Sequence, residues 1–378
     1  MKKKVLATLL SVAVVGTMLA GCGGSSDTAS DDSAATEDTA AADDDAAAED
    51  DAAADDASGS GDVLTVGFSQ VGAESDWRTA NTESMKGTFT EENGYELIFD
   101  DAQQKQENQI TAIRNFIQQG VDYILLAPVT ETGWDTVLQE AYDAGIPVIT
   151  VDRMVDISDE NLVTAWVGSN FKLEGQKACA WLKAFLEAKG RGEEEINIVD
   201  IQGTIGASAQ IGRTEALEEA IEANENWNML AQQSGEFTQA KGQEVMESIL
   251  KQSGDDVDVV YCENDNEAFG AIDAIKAAGY EIGTEDGQIM VMSFDAATAA
   301  LNMTMSGEIA LATECNPLHG PRVDEIIKAL EAGEEVEKET FVDETMFATD
   351  DTVATVDVDG ESYEVTAVTQ EVIDGRAY

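Results

Sequence analysis

Three arginines and three acids stand out in this chain: Arg78, Arg153 and Arg213, with Glu74, Asp152 and Asp295. Each lies beyond the carboxyl end of a short apolar run, the place where open α/β sheets bind their ligands. Ser75, Trp77, Phe237, Asn264 and Glu314 hold comparable positions. A carboxylate accepts hydrogen bonds, a guanidinium donates them and an amide does both, so in alternation they suit a ring of hydroxyl groups. Flat Trp and Phe side chains cover the C–H faces of such a ring. Leaving one buried polar group unpaired costs about 1–3 kcal/mol, enough to separate epimers. The set points to recognition of a sugar.

Asp152 and Asp295 are also candidates for an acid–base pair across a cleft. An Arg beside each would hold it ionised, the opposite of what a general acid needs. No catalytic residue is therefore assigned, and no turnover is expected. His319 is the only histidine and no CxxC pair exists, so a zinc site or a His-based triad lacks its parts. Neither a metal nor a cofactor is expected. Cys179, Cys262 and Cys315 are far apart and odd in number, which reads as buried free thiols rather than a disulfide framework.

The elements that must position these residues are strands alternating with helices. Strands are expected at 63–68, 95–99, 121–126 and 147–151, with helices near 77–92, 105–119 and 131–144. Tyr123 to Ala127 is a continuous apolar run, as a parallel strand buried on both faces requires. Gly120 and Gly145 read as helix C-caps. The alternation restarts, with strands at 162–167, 195–201, 227–232, 257–261, 288–293 and 309–313 and helices near 171–188, 207–223, 238–252, 265–278 and 295–306. A further helix follows Pro317. One sheet of that many strands is less favourable than two similar lobes, so the expected fold is α/β with two parallel sheets, each flanked by helices. Val353 to Val365 alternates around Asp359-Gly360, a hairpin signal. The same stretch fails as a calcium loop, because Thr355 and Thr366 occupy its first and last ligand positions. In the first loop, Gly72 is expected to let the chain turn.

The net charge is −55 over 378 residues, and residues 63–378 keep 18 Lys/Arg against 62 Asp/Glu, a net of −44. A field of that sign repels phosphates, which disfavours nucleic acid as a partner. Lys2, Lys3 and Lys4 precede an apolar run from Val5 to Leu19 that is short for a membrane span and fits a secretory signal over 1–21. Its ending, Leu19-Ala20-Gly21-Cys22, resembles the lipobox of bacterial lipoproteins, which implies lipidation of Cys22; the plainer alternative is an ordinary signal with an incidental Cys. Residues 23–61 are Ser, Thr, Ala, Gly and acids, with 14 Asp/Glu and no Lys/Arg in 23–62, and 22–61 is expected to form a disordered acidic tether.

Longer pieces carry a family resemblance: TVGFSQVGAESDWR, QQKQENQI, APVTETGW, IPVITVDR, the run Ile201 to Ser208, SGEFTQAKGQEVMES and ENDNEAFGAI. From Leu64 to about Asn316 the chain resembles the ribose-type periplasmic sugar-binding proteins of ABC importers, within them the galactofuranose-binding branch. The resemblance implies a two-lobe periplasmic-binding-protein type I fold with the ligand in the cleft between lobes. Residues 62–166 and 316–346 would form lobe 1, and 167–315 and 347–378 lobe 2. It implies ligand contacts from Trp77 and Arg78 with Glu74 and Ser75 beside them, from Asp152 and Arg153, and from Arg213, Phe237, Asn264 and Asp295. Where the ribose branch has Gln, this chain has Cys315, and Glu314 is expected to take over that role. Trp134 reads either as a motif residue of the furanose branch or as a core Trp. The tail beyond Phe347 departs from the family pattern.

The implied function is an extracytoplasmic lipoprotein, monomeric and held to the outer face of the membrane through Cys22. It would bind a hexofuranose such as galactofuranose and deliver it to an ABC permease. Alternatives are a sugar sensor for a membrane signalling partner, and a binder of another pentose, hexose or sugar acid. A transcription regulator with the same core would need a DNA-binding module where this chain has an acidic tether.

Overall fold

The computed structural model describes residues 63–378. The expected signal segment 1–21, Cys22 and the tether 22–61 lie outside the described residues.

The first apolar runs form β1 (Leu64–Gln70), β2 (Tyr95–Asp101), β3 (Tyr123–Leu126), β4 (Val148–Val151) and β5 (Ala165–Gly168), separated by α1 (Asp76–Thr88), α2 (Gln106–Gln119) and α3 (Asp135–Asp143). The second set begins with α4 (Phe171–Ala188), followed by β6 (Ile196–Gln202), α5 (Ser208–Ala223), β7 (Trp227–Ser234), α6 (Gln239–Ser253) and β8 (Val259–Cys262). It continues through α7 (Asp265–Ala278), β9 (Met290–Asp295), α8 (Thr298–Ser306) and β10 (Leu311–Glu314). The chain then returns to the first sheet with α9 (Gly320–Glu331) and β11 (Glu339–Phe341). It ends in the second with β12 (Met346–Ala348), β13 (Thr355–Val358), β14 (Glu361–Ala367) and α10 (Gln370–Asp374).

The six-stranded sheet has the order β11-β5-β4-β3-β1-β2 and is parallel throughout. The eight-stranded sheet runs β13-β14-β12-β10-β9-β8-β6-β7 and turns antiparallel only at β10/β12 and β13/β14. Its β7-β6-β8-β9-β10 repeats the order β2-β1-β3-β4-β5, so β1 and β6 are the strands where each sheet reverses its winding. Ligand crevices open at such switch points, beyond the strand carboxyl ends. Both central sets of strands are apolar on both faces and carry core clusters on either side, as buried parallel sheets must.

Two helices start later than the periodicity predicts. α3 begins at Asp135 rather than near 131 because Gly133 takes φ 92, and Trp134 is a fully buried core residue whose Nε1 donates to Thr130 O at 2.7 Å. α8 begins at Thr298 rather than 295 because Asp295 and Ala296 take φ 99 and 56. The expected hairpin forms: Val358 pairs with Glu361 across Asp359 (φ 52) and Gly360 (φ 87), the two positive φ values of a type I′ turn. β14 then adds to β12 in the second sheet, which settles where the tail docks.

The chain passes between the sheets after Gly168, after Glu314 and after Phe341. One carboxylate binds all three passages. Glu344, on the third, accepts from Ser169 Oγ on the first and from Asn316 N on the second, both at 2.6 Å.

Candidate functional site

The loop after β1 leads into α1 through Ser75, an extended N-cap whose Oγ accepts from Arg78 N at 3.1 Å. That cap fixes the first helical turn and places Arg78 inward, 2% exposed. Arg78 donates from Nε to Glu74 Oε1 at 3.1 Å, from Nη2 to Asp152 Oδ2 at 2.7 Å and from Nη1 to Gln70 Oε1 at 3.3 Å. Burial pulls its pKa down, but Asp152 and Glu74 outweigh burial and hold it above the usual arginine range. Gly72 does not take positive φ; the loop needs it because Gln104 and Glu74 approach to within 3.2–3.4 Å of where a Cβ would stand.

Asp152, at φ 66, begins the loop after β4 and orients Arg153 beside Arg78. Backbone of this kind costs about 1–3 kcal/mol and persists only where the surroundings enforce it. Arg153 donates Nη1 to Val129 O at 2.9 Å, while Glu74 and Asp152 lie 3.8 and 3.9 Å away. Burial and the neighbouring Arg78 pull its pKa down to about 10, so it stays charged at neutral pH. Its guanidinium faces the Phe237 ring at 5.1 Å.

From the second sheet, the loop after β6 delivers Arg213 on α5. Its Nε donates to Glu174 Oε2 at 2.8 Å, and Asp295 lies 3.8 Å from its Nη2. Phe237 sits at φ 59 after β7, held by its N–H to Glu267 Oε1 at 2.8 Å and packed so tightly on Gly203 that a Cβ there would lie 1.9 Å from the ring. Asn264 is the N-cap of α7, accepting from Glu267 N at 2.8 Å and donating to Phe237 O at 3.1 Å. Asp295, at the end of β9, has a pKa raised well above the carboxylate range by burial, against the pull of Arg213. The arginine expected to hold this carboxyl ionised does pull its pKa down, and burial outweighs that pull.

Ten of the eleven expected contact residues line one cavity: Glu74, Ser75, Trp77, Arg78, Asp152, Arg153, Arg213, Phe237, Asn264 and Asp295. Glu314 is not among them. Its carboxylate turns away, accepting from Arg376 Nη1 and Tyr378 OH, each at 2.9 Å, and from Thr345 N at 3.0 Å. Cys315, the next residue, lines the cavity instead. The reading also missed Phe171, Ala209 and the Arg213 partner Glu174. Phe171 follows the β5 strand end and was legible by the same rule; Ala209 and Glu174 carry no chemical signal of their own.

The cavity is roofed from both sheets. Asp76 N donates to Asn266 Oδ1 at 3.0 Å, Met154 N to Ser208 Oγ at 2.9 Å and Glu131 N to Gly206 O at 2.9 Å. Trp77 Nε1 donates to Cys315 O at 2.7 Å, leaving the indole to pack with Phe171 and Phe237. Cys179, Cys262 and Cys315 are free and buried. His319 is buried and pulled down to about 4 by desolvation, which keeps it neutral. Among the described residues, one group has metal-ligand spacing, Glu174, Cys315 and Glu344, and Glu174 there is paired with the Arg213 guanidinium.

The periplasmic binding protein domain family matches residues 66–317. The galactofuranose-binding protein YtfQ of Escherichia coli K12 is 42% identical over 290 residues, 76% of this chain and 88% of that protein. A Mycobacterium smegmatis structure in complex with β-D-fucofuranose has a TM-score of 0.72 and 42% identity over 76% of this chain and 92% of that one. The binding component of an arabinose ABC transporter from Shewanella sp. ANA-3, bound to α- and β-L-arabinofuranose, has a TM-score of 0.71 and 39% identity over 76% of this chain and 93% of that one. With two mainly parallel sheets of repeated strand order, and with this likeness in sequence and structure, the chain belongs to the periplasmic binding protein family, with its type I α/β fold.

Proposed function

We propose that this chain is an extracytoplasmic binding lipoprotein that captures a neutral furanose, galactofuranose or a related hexofuranose, and presents it to an ABC transporter permease. The observation that carries the reading is the charge balance of the cavity. Three guanidinium groups, Arg78, Arg153 and Arg213, face Glu74, Asp152, Glu174 and Asp295, and burial raises the Asp295 pKa against the pull of Arg213. A sugar acid would bring a further negative charge to a wall whose three guanidinium groups already face four carboxyl groups. A neutral ring meets donors, acceptors and the faces of Trp77, Phe171 and Phe237.

Furanose ligands in two similar structures support the choice of ring. The lobe built on the six-stranded sheet acts as one jaw and the lobe built on the eight-stranded sheet as the other, and ligand contacts from both favour the closed state. Among the described residues no helix is long and apolar enough to cross a membrane, and attachment is assigned to a lipidated Cys22. The protein acts as a monomer and turns over nothing. Asp295 has the raised pKa of a general acid, yet it lies beside Arg213 in a wall whose relatives are named as binding proteins. A thermal-shift panel of furanoses, pyranoses and aldonates tests the reading. A hexofuranose is expected to raise the midpoint most; a shift only with carboxylated sugars, only with ribose, or release of a changed sugar overturns it.

A further inference from the structure

Asp295 and Ala296 are two successive non-glycine residues at positive φ, 99 and 56. L-residues avoid that region because Cβ crowds the carbonyl oxygen, so bonds from outside must hold the turn. Asp265 Oδ2 accepts from Ala297 N at 2.8 Å and Cys315 N donates to Asp295 O at 3.3 Å, and the last residues of the tail supply the rest. Arg376 donates Nε to Ala296 O at 2.9 Å, and its Nη2 reaches Asp295 O at 3.5 Å. Its Nη1 is anchored on Glu314 Oε1 at 2.9 Å, with both side chains 10% exposed. Phe347 and Tyr378 place their rings 5.0 and 4.2 Å from the guanidinium carbon. The backbone oxygen of Tyr378 accepts from Thr298 N at 2.8 Å, where α8 begins, so the tail is fastened on the far side of the turn too. Glu314 Oε2 accepts from Thr345 N at 3.0 Å, joining the cluster to the third passage between sheets.

Arg376 does not line the cavity; Asp295 does. We propose that Arg376, anchored by Glu314, is a positioning residue that holds the Asp295 carboxyl in its cavity-facing pose, an inference that rests on the sugar-site reading above. The tail is thereby part of the binding machinery, and the Glu314 carboxylate serves the site from behind.

The test joins a double-mutant cycle to hydrogen exchange. Galactofuranose affinity is measured by calorimetry for wild type, Arg376→Ala, Asp295→Asn and the double variant, with Arg376→Lys and Glu314→Gln as milder changes should Arg376→Ala fail to fold. Arg376→Ala is expected to weaken binding about tenfold, the size of one charged hydrogen bond, and to have little further effect on Asp295→Asn. Arg376→Lys is expected to restore part of the affinity. Without sugar, the Arg376 variants are expected to speed exchange of the amides at 296–299 while those of α4 stay protected. Equal loss in both backgrounds, or unchanged exchange at 296–299, overturns the proposal. If wild type binds no furanose the sugar reading falls, and the exchange arm still decides whether Arg376 positions Asp295.

Discussion

Arg78 Nη2 donates to Asp152 Oδ2 at 2.7 Å, joining the loops after β1 and β4. Both groups are almost wholly buried, 2% and 3% exposed. Arg153, next to Asp152, makes one short bond, to Val129 O. The two arginines therefore differ in what they do: Arg78 spends its donors on the protein, whereas Arg153 keeps most of its five N–H groups for a ligand.

Their alanine variants should separate accordingly. Arg78→Ala leaves Asp152 and Glu74 buried without their hydrogen-bonded cation, only the more distant Arg153 remaining, and should destabilise the fold by about 3 kcal/mol in denaturant titration. Arg153→Ala should melt near wild type by circular dichroism and lose galactofuranose binding, by roughly tenfold to a hundredfold for each charged hydrogen bond removed. Near-normal affinity in Arg153→Ala would show the cavity to be misassigned.

Gly203→Ala should act through Phe237. A methyl at Gly203 would fall 1.9–2.4 Å from the Phe237 ring, which can yield only by swinging away from its strand. Overpacking of this kind costs about 1–3 kcal/mol. Calorimetry should show greatly weakened binding with a modest loss of melting temperature. Wild-type affinity would mean that the ring has no part in holding the ligand.

Glu344→Ala removes the acceptor shared by Ser169 and Asn316 at two of the passages between sheets. The stranded, half-buried amide of Asn316 predicts a stability loss of about 1 kcal/mol in denaturant titration. Exchange at Asn316 should accelerate before that of the sheet cores. An unchanged midpoint would show that water replaces the carboxylate without cost.

Stability should fall as pH rises, the reverse of ordinary acid denaturation. Burial pushes Asp200 up to about 8 and Asp265 up to about 7, and it raises Glu263 and Glu267 as well. Unfolded carboxyls titrate near ~4, so between there and pH 8 the folded state holds protons that the unfolded state releases. That contribution is complete below the unfolded pKa and is lost as pH climbs through 7 and 8. Melting temperature should drop from pH 5 to pH 9. Surface repulsion at a net charge of −55 pulls the same way, so the discriminating variant is Asp200→Asn, which should flatten the slope. A melting temperature that rises with pH would refute the protonated cluster.

What the residues alone determined was the architecture and most of the cavity wall. Apolar runs such as Tyr123 to Leu126 have one stable use, as parallel strands buried on both faces, and crevices open where such strands end. Ten of the eleven expected residues line the cavity for that reason. Tertiary structure alone decided between Glu314 and Cys315. Successive strand residues point to opposite faces, so the choice hangs on a register that one residue of slip would invert. Arg376 binding at Glu314 lies across 62 residues of chain, and no local pattern carries it. The pKa of Asp295 is of the same kind: the sequence shows an arginine that would lower it, and burial, a property of the whole packed lobe, raises it instead.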